Sequence, residues 1–453
     1  MAFLYRQFGA LVVIGTGLGV VPASAQSLEE ALVRAYNANP TLNAERASTR
    51  ATDESVPQAL SGYRPTITAT GDISAERSVS DLGSNNSVPR GVGIEIGQNL
   101  FDGFRTANSV RAAESSVLAS RAILSNTEQN VILNAVEAYV NVLRDKSLLD
   151  LQTNNVEVLE EQLRQTNDRF AVGDVTRTDV GQANARLEAA KSQMLAARAN
   201  LKSSRAIFRQ IIGMDPKNLK TARPLSKLLP KSLDLALGEA LQNHPAIIAA
   251  LHGVDAASLQ IKVIEGRLYP TVTASASVTQ RWDPSASVNE VTTGTIGARI
   301  SIPIFEGGLV YSQTRQAKQS LSQRRLEADE TRERVRAAVV SAWGGLESAA
   351  AQIEAANAQV AAAELALAGV REEAKAGQRT TLDVLNAQQE VLNARVSLVT
   401  AQRDRVVASY SLASSVGRLS AKRLGLAVAT YDPKVHYEQI RNKWIGTSTP
   451  DGQ

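Results

Sequence analysis

Two short segments of this sequence combine residue types that could do chemistry. In each segment a glycine precedes a threonine and an aspartate at Thr-x-x-Asp spacing, the members being Gly173, Thr176 and Asp179, and then Gly377, Thr380 and Asp383. The spacing predicts the start of a helix, where the hydroxyl and the carboxylate satisfy free backbone N–H groups. A capping carboxylate still carries its charge, so a capping role does not exclude a further function of the same residues.

The remaining sequence does not carry the pattern of an enzyme. His244, His252 and His436 are scattered without the spacing of metal ligands, and neither a glycine-rich phosphate loop nor a nucleophile elbow is found. The absence of cysteine excludes disulfides and thiolate metal sites. We therefore expect no enzyme, no cofactor and no metal, with the histidines structural or exposed.

Composition narrows the class of protein further. The 453 residues include 49 Lys and Arg against 45 Asp and Glu, and this net charge of +4 is too small to indicate a nucleic-acid-binding protein. Apolar residues make up 43% of the chain but aromatic residues only 4%, so alanine and aliphatic residues must fill the core. This balance favours long, thin helical packing over compact globules.

The first 25 residues have the pattern of a secretory signal peptide. Arg6 precedes an apolar run at residues 10–21, and the small residues of Ala23–Ala25 then provide a cleavage site before Gln26. Beyond residue 25, no stretch approaches the 18 uncharged apolar residues of a membrane helix. The sequence thus predicts an exported protein in which any membrane span consists of strands.

The chain is an internal duplication. Pro65 aligns with Pro270 at an offset of 205, and Gly173 aligns with Gly377 at an offset of 204. We assign residues 26–222 to the first repeat, residues 223–420 to the second, and residues 421–453 to a C-terminal periplasmic tail that favours packing on the surface of the helices.

Each repeat begins with a helical segment and continues with alternating strands. Apolar and polar residues alternate over 65–75, 91–98, 271–279 and 295–302, which is close to the length of a tilted membrane strand. A half-buried strand of a soluble sandwich has the same periodicity. We predict strand hairpins at 65–100 and 270–304, with the polar links Glu76–Pro89 and Trp282–Glu290 as their loops.

Long helices follow each hairpin. Phe104–Val172 contains 69 consecutive residues without glycine or proline, enough for a helix about 100 Å long. Helical composition continues over Asp174–Ile212, and the second repeat matches it with Leu309–Ala376 and Gln378–Val416. These segments predict two antiparallel helical hairpins with glycine at their tips. Four membrane strands cannot close a barrel, so the chain must form oligomers, with eight strands from two copies or twelve from three.

Several motifs resemble those of the TolC-like outer-membrane efflux proteins, over residues 27 to 420. The matching segments are Tyr63–Thr66 and Leu268–Thr271 before the strands, Leu100–Gly103 and Ile304–Gly308 after them, and Arg169–Val180 and Ala376–Leu385 at the helical tips. The resemblance implies a mainly α protein with membrane β-strands, in which a homotrimer forms a twelve-stranded β-barrel in outer-membrane lipid and a periplasmic α-barrel. It also implies the exit duct of tripartite drug efflux or type I secretion, with a periplasmic adaptor and an inner-membrane transporter as partners.

The resemblance further implies roles for eight residues at the tips. The residues expected to contact the adaptor are Gly173, Val175, Gly377 and Val384. The residues expected to form a closed periplasmic gate are Thr178, Asp179, Arg379 and Asp383. In the family, arginine at the position of Arg379 links to the threonine and aspartate of a neighbouring tip, and Asp383 forms a ring that attracts cations. Ala374 stands where relatives carry a tyrosine that bonds the same aspartate, which implies that the contacts closing the gate are weaker here. Asn386 stands where a second acidic ring is common, which implies three ring charges instead of six.

Other classes of protein fit less well. A periplasmic helical adaptor or scaffold protein shares the helical hairpin but lacks two strand hairpins of bilayer length. A monomeric porin is excluded by the number of strands.

Overall fold

The computed structural model describes residues 26–81, 83–285, 288–450 and 452. The predicted signal peptide at residues 1–25 lies outside the described residues.

The first half of the chain passes from short helices to strands and then to two long helices. Its elements are α1 Leu28–Ala38, α2 Pro40–Asp53, α3 Ser55–Leu60, a 3-10 helix Ser61–Tyr63, β1 Thr66–Ile73, β2 Glu76–Ser80, β3 Gly83–Ser87, β4 Arg90–Phe101, α4 Arg105–Ala171 and α5 Arg177–Ile212. Helix α4 has 67 residues and therefore extends over about 100 Å.

The second half repeats this order of elements. It contains α6 Leu233–Asn243, α7 Pro245–Glu265, a 3-10 helix Gly266–Leu268, β5 Thr271–Ser285, β6 Val288–Ser301, α8 Leu309–Lys375 and α9 Thr381–Ser415, followed by α10 Ala421–Leu424 and α11 Pro433–Ile440. Helix α8, like α4, has 67 residues. Helices α4 and α5 pack as one antiparallel hairpin and α8 and α9 as the other.

Both repeats break their first helical segment in the same way. Asn39 and His244 each precede a proline, which disfavours helical backbone at the preceding residue, and both adopt an extended conformation. Each side chain then caps the next helix: Asn39 Oδ1 accepts from the N–H of Thr41 at 2.9 Å, and His244 Nδ1 accepts from the N–H of Ala246 at 3.2 Å. His244 is thus a buried structural histidine.

One helical stretch, Leu233–Leu268, is long and apolar enough to cross a membrane by length and composition, with a mean hydropathy of 1.4 in its best window. This stretch departs from the expectation that no segment beyond residue 25 approaches a membrane helix in length and composition. The stretch is broken at His244 and Pro245 into α6 and α7, and α7 packs along both α4 and α8. Within its most apolar window, 17% of the residues are buried in the single chain.

The central sheet is antiparallel, with strand order β1-β4-β5-β6 among the described residues. Directly opposite residues lie on the same face of an antiparallel sheet. Apolar residues meet in this way across all four strands, in the rows Ile67–Ile96–Ala276–Ile296 and Ala69–Ile94–Val278. Most of these side chains are exposed in the single chain, and Ile296 is 89% exposed. Within this sheet β1 and β6 are edge strands.

The predicted loops of the strand hairpins are largely strand. Residues 76–80 and 83–87 form β2 and β3, a separate antiparallel pair, while β5 continues to Ser285 and pairs with β6 up to Val288. The prediction was wrong because it used side-chain alternation to define strand ends. Ladder hydrogen bonds join backbone groups, so pairing continues through polar residues until a turn forms, as at Gly83 with φ of 121°.

The largest core surrounds the middle of α4. Helices α1, α2, α5 and α9 pack around it, and Tyr139 and Phe208 are fully buried there with ring centroids 6.3 Å apart. The Tyr139 hydroxyl lies 2.8 Å from the carbonyl oxygen of Gln26 and 2.7 Å from that of Lys220. Burial raises the pKa of Tyr139 to about 12. This core therefore ties the start of the chain and the inter-repeat linker to α4.

The C-terminal residues pack on the helices. Leu419 and Ile440 are buried, and α11 lies against α2. His436 Nδ1 lies 3.1 Å from Asp53 Oδ2 in a buried pair, and burial raises the pKa of the Asp53 carboxyl. His436 is therefore structural.

Candidate functional site

The tip of the first helical hairpin is a glycine turn. Gly173 has φ of 80°, in the left-handed region that favours glycine. Its N–H donates to the carbonyl of Phe170 at 3.0 Å, and the N–H of Asp174 donates to the carbonyl of Arg169 at 2.9 Å. This pair of bonds forms a Schellman motif, which ends α4 by satisfying its last carbonyl groups.

The tip of the second hairpin repeats the turn. Gly377 has φ of 77°, its N–H donates to the carbonyl of Ala374 at 3.1 Å, and the N–H of Gln378 donates to that of Glu373 at 2.9 Å. A Cβ at either glycine would meet nothing within 4 Å. The conformation of the turn, and not crowding, therefore requires glycine at these two positions.

Capping boxes begin the returning helices, as the Thr-x-x-Asp spacing predicts. The N–H of Thr176 donates to Asp179 Oδ2 at 2.8 Å, and the N–H of Asp179 donates to Thr176 Oγ1 at 3.3 Å. Thr380 and Asp383 repeat these bonds at 2.9 and 3.2 Å. The four side chains thus hold the tips in a defined geometry.

These bonds act on the charge of the two carboxyl groups. The Thr176 hydroxyl holds the pKa of Asp179 below its usual range, followed in effect by the Thr176 N–H. The Thr380 N–H, followed by the Thr380 hydroxyl, lowers the pKa of Asp383 in the same way. Both carboxylates are therefore ionised at neutral pH.

An ion pair spans each turn, with the arginine before the turn at the first tip and after the turn at the second. Arg169 Nε bonds Asp174 Oδ2 at 2.6 Å at the first tip, and Arg379 Nε bonds Glu373 Oε2 at 2.8 Å at the second. Glu373 raises the pKa of Arg379 by hydrogen bonding and by its charge. Arg379, the arginine predicted to link neighbouring tips, therefore bonds Glu373 near the end of α8 in the same chain.

A groove of about 1020 Å³ separates the two tips. Val175, Asp179, Gly377, Arg379 and Val384 line it, so the fold brings five of the eight predicted residues together. Val384 does so as a buried side chain, only 7% exposed.

The other three predicted residues lie outside the lining given for this groove. Gly173 and Thr178 are exposed at the first tip, and Asp383 is half-buried on the first turn of α9.

Two features of this region were not found by sequence reasoning. Arg186 Nη2 donates to Asn386 Oδ1 at 2.8 Å and joins α5 to α9 across the repeats. On α4, Arg164 bonds Glu161 at 2.6 Å and Asp168 at 3.1 Å, and with Gln165 it lowers the pKa of Glu161 to about 2. The second network is visible in the sequence as charges three and four residues apart. The Arg186–Asn386 contact has no such signal.

Metal-ligating side chains do not cluster at the tips. Within the described ranges, no group of three or more His, Cys, Asp or Glu residues is placed to hold a metal ion. Polar and charged side chains facing a groove can bind a partner surface or a passing ion.

Comparison with known proteins agrees with this architecture. The family described as outer membrane efflux protein matches residues 31–214 and 236–418. The outer membrane efflux protein BepC of Brucella suis biovar 1 (strain 1330) is 42% identical over 447 residues, covering 98% of this chain and 97% of BepC. The outer membrane protein TolC of Escherichia coli (strain K12) is 26% identical over 443 residues, covering 91% of this chain and 87% of TolC.

The fold also matches a solved structure. The outer membrane channel CmeC of Campylobacter jejuni superimposes with a TM-score of 0.80 at 16% identity, over 97% of this chain and 98% of CmeC. This likeness shows a shared channel fold, mostly helical with some strands. Since the family match covers both repeats and BepC aligns over nearly the whole length, this chain belongs to the outer membrane efflux protein family.

Proposed function

We propose that three copies of this chain form one continuous channel, the exit duct of a tripartite drug-efflux or type I secretion system. The observation that carries the proposal is the sheet: an exposed apolar face, a polar opposite face and two unpaired edges, attached directly to helices about 100 Å long.

The two faces of the sheet match lipid and water. On the face opposite the apolar rows, Thr68, Glu95, Ser277 and Thr295 lie in one row. Lipid cannot satisfy the backbone groups of an open edge, so β1 of one copy must pair with β6 of the next. Three sheets of four strands give twelve strands, wide enough for a water-filled lumen with the polar rows inside.

The helical hairpins extend the channel into the periplasm. Helix α4 starts four residues after β4 ends, and α8 starts eight residues after β6 ends, so both long helices leave the same end of the sheet. In this arrangement residues 26–222 and 223–420 are quasi-equivalent repeats that alternate around the channel. The tail at 421–453 lies on the outer surface of the periplasmic helices. The glycine tips form the mouth furthest from the membrane.

The tips have two roles in this proposal. Gly173, Val175, Gly377 and Val384 shape the surface that docks the periplasmic adaptor, which in turn recruits the inner-membrane transporter. Thr178, Asp179, Arg379 and Asp383 narrow the mouth. Since Arg379 bonds Glu373 in the single chain, closure requires this arginine to exchange Glu373 for groups on a neighbouring tip.

Membrane extraction and conductance test the proposal together. Washed membranes are treated with carbonate, the detergent-purified protein is chemically cross-linked, and the product is reconstituted in planar bilayers. We expect retention in the membrane, a cross-linked trimer and discrete single-trimer conductance. Release into the carbonate wash as a helical protein without conductance would instead favour the periplasmic adaptor or scaffold class.

A further inference from the structure

The C-terminal segment ends beside the start of the first strand. After α11 the chain reaches Arg64, which lies two residues before β1 begins at Thr66. Arg64 Nη1 donates to the carbonyl of Lys443 at 3.0 Å, and its guanidinium lies 4.7 Å from the centre of the Trp444 ring. Both the backbone and a side chain of the segment are therefore fixed to the base of the sheet.

Contacts further back along the segment determine this position. Ile440 is buried, and Arg441 Nη2 bonds Glu114 Oε1 of α4 at 3.3 Å. The buried His436–Asp53 pair holds α11 against α2. Trp444 thus follows a firmly packed helix and is not the end of a free tail.

The two residues at the end of this path are apolar and uncovered. Trp444 is 65% exposed and Ile445 is 88% exposed in the single chain. Tyr63 and Tyr269, which lie three residues before β1 and two residues before β5, are also about half exposed. The helical end of the sheet therefore carries a band of exposed aromatic residues, to which Trp444 adds from a different part of the chain.

We propose that Trp444 and Ile445 form an interfacial anchor, seated among phospholipid headgroups of the periplasmic leaflet of the outer membrane. This inference rests on the proposed placement of the sheet in the membrane. Aromatic rings are enriched at the level of the headgroups, where one end is apolar and the other is wet. Arg64 places one cation over the ring, and Lys443, whose ammonium donates to the Ser448 carbonyl, adds a second positive charge to the same segment. Positive charge at this level suits lipid phosphates. The chemistry and the location point to the same ligand.

Tryptophan fluorescence provides a direct test, because the chain has three tryptophans: Trp282, Trp343 and Trp444. The double variant W282F/W343F leaves Trp444 as the sole tryptophan. The purified trimer is reconstituted in phosphatidylethanolamine and phosphatidylglycerol vesicles whose acyl chains are brominated near the headgroup or near the chain end. We expect quenching by lipids brominated near the headgroup, and weak quenching by aqueous acrylamide.

A matched variant separates this inference from the proposed function. Trp282 lies on the same side of β5 as Val278 but at the loop end of the strand, directly opposite Arg90 and Glu290. The W343F/W444F variant therefore reports whether this far end of the sheet reaches the opposite headgroup level. Quenching of Trp282 by brominated lipid without quenching of Trp444 overturns the anchor alone. If neither is quenched by lipid, the barrel placement itself fails. Quenching of Trp444 by acrylamide only, or by neither reagent, indicates a solvated residue or a subunit contact and also overturns the anchor.

A pair of substitutions tests the geometry within the segment. Ile445→Asp in the W282F/W343F background places a charge in the proposed interface and should reduce quenching by headgroup-brominated lipid about twofold or more. Val435→Asp in the same background changes an exposed apolar residue of α11 that the proposal leaves out of the lipid, and quenching should persist. Equal effects of the two substitutions would contradict a lipid contact at Ile445.

Discussion

At the scale of single residues, the tips combine rigid local geometry with exchangeable charge. The capping boxes at Thr176 and Thr380 are closed within each helix, so they need no partner from another chain. The Arg379–Glu373 pair is half-exposed on both sides and easily replaced by another ion pair. The caps therefore fix the positions of the two carboxylates, whereas Arg379 can exchange one carboxylate partner for another.

Arg379 provides the first prediction. Arg379→Ser should raise the mean single-trimer conductance in planar bilayers, because it removes the cation that we propose bridges neighbouring tips in the closed mouth. Glu373→Gln is the matched control, since it removes only the partner within the chain. It should leave conductance unchanged or lower it by releasing Arg379 to the neighbouring tip. Equal increases in both variants would show that Arg379 acts only through Glu373.

Asp383 gives a prediction with a defined pH dependence. Its pKa is lowered by the Thr380 cap, so the charged form is favoured in the folded protein. The contribution of this cap is present above the usual aspartate pKa of about 3.9 and is lost as the pH falls through the lower folded value. Block by divalent cations added on the periplasmic side should therefore persist from neutral pH to about pH 5.

Two substitutions identify the group responsible for this block. Asp383→Asn should abolish block at every pH, with the loop geometry retained by its amide. Asp179→Asn makes the same change in the cap of the first repeat and should leave block in place. Loss of wild-type block between pH 7 and about pH 6 would point to another titrating group and contradict the assignment.

At the scale of elements, each helical hairpin ends in the same turn but presents different side chains. Val175 is half-buried in the groove, whereas Val384, at the other tip, is buried. A bulky substitution at Val384 would overpack the tip at a cost of about 1–3 kcal/mol, so its effect on docking could not be separated from its effect on folding. Val175 is the better probe of the docking surface.

Val175→Trp should abolish efflux in a drug-resistance assay while membrane level and trimer content stay normal. The reason is steric, since the ring would occupy the groove between the tips that the adaptor must contact. Leu365→Trp on α8 serves as the control, because Leu365 is exposed but lies away from both turns. Normal resistance in the Val175 variant would remove this groove from the docking surface.

At the scale of the whole molecule, the proposed barrel requires more than one copy of the chain. Its sheet has an exposed apolar face, which is unfavourable in water but suits lipid, and two edge strands, whose backbone groups lipid cannot satisfy without neighbouring strands. Adjacent residues of β5 point to opposite faces, which allows one strand to report on both environments.

Val278 and Thr279 form the matched pair for this test. Val278→Arg places a charge on the lipid face and should cost about 2–4 kcal/mol near mid-membrane, which reduces the amount of trimer recovered from outer membranes. Thr279→Arg places the same charge on the polar face, in the row of Gly93 and Thr293, and should assemble normally with altered conductance. Equal loss of assembly in both variants would contradict a water-filled barrel.

Much of the fold could be predicted from the sequence because its signals are local. The run of residues without glycine or proline from Phe104 predicts α4 to within one residue at each end. The Thr-x-x-Asp spacing predicts both capping boxes, since a cap involves residues of a single turn. Side-chain alternation predicts the faces of the strands, but not their ends, because pairing depends on backbone groups that every residue carries.

The tertiary structure decided which side chains meet across distant parts of the chain. Arg186 bonds Asn386, 200 positions later in the sequence, because packing brings α5 and α9 together. Val175 lies in the turn before α5 and is half-buried, whereas Val384 lies on the first turn of α9 and is buried. Trp444 reaches Arg64 across 380 positions of the sequence (444 minus 64), held by α11 on α2 and α4. Sequence determined the elements because their causes are local, while contacts between elements depend on how the whole chain packs.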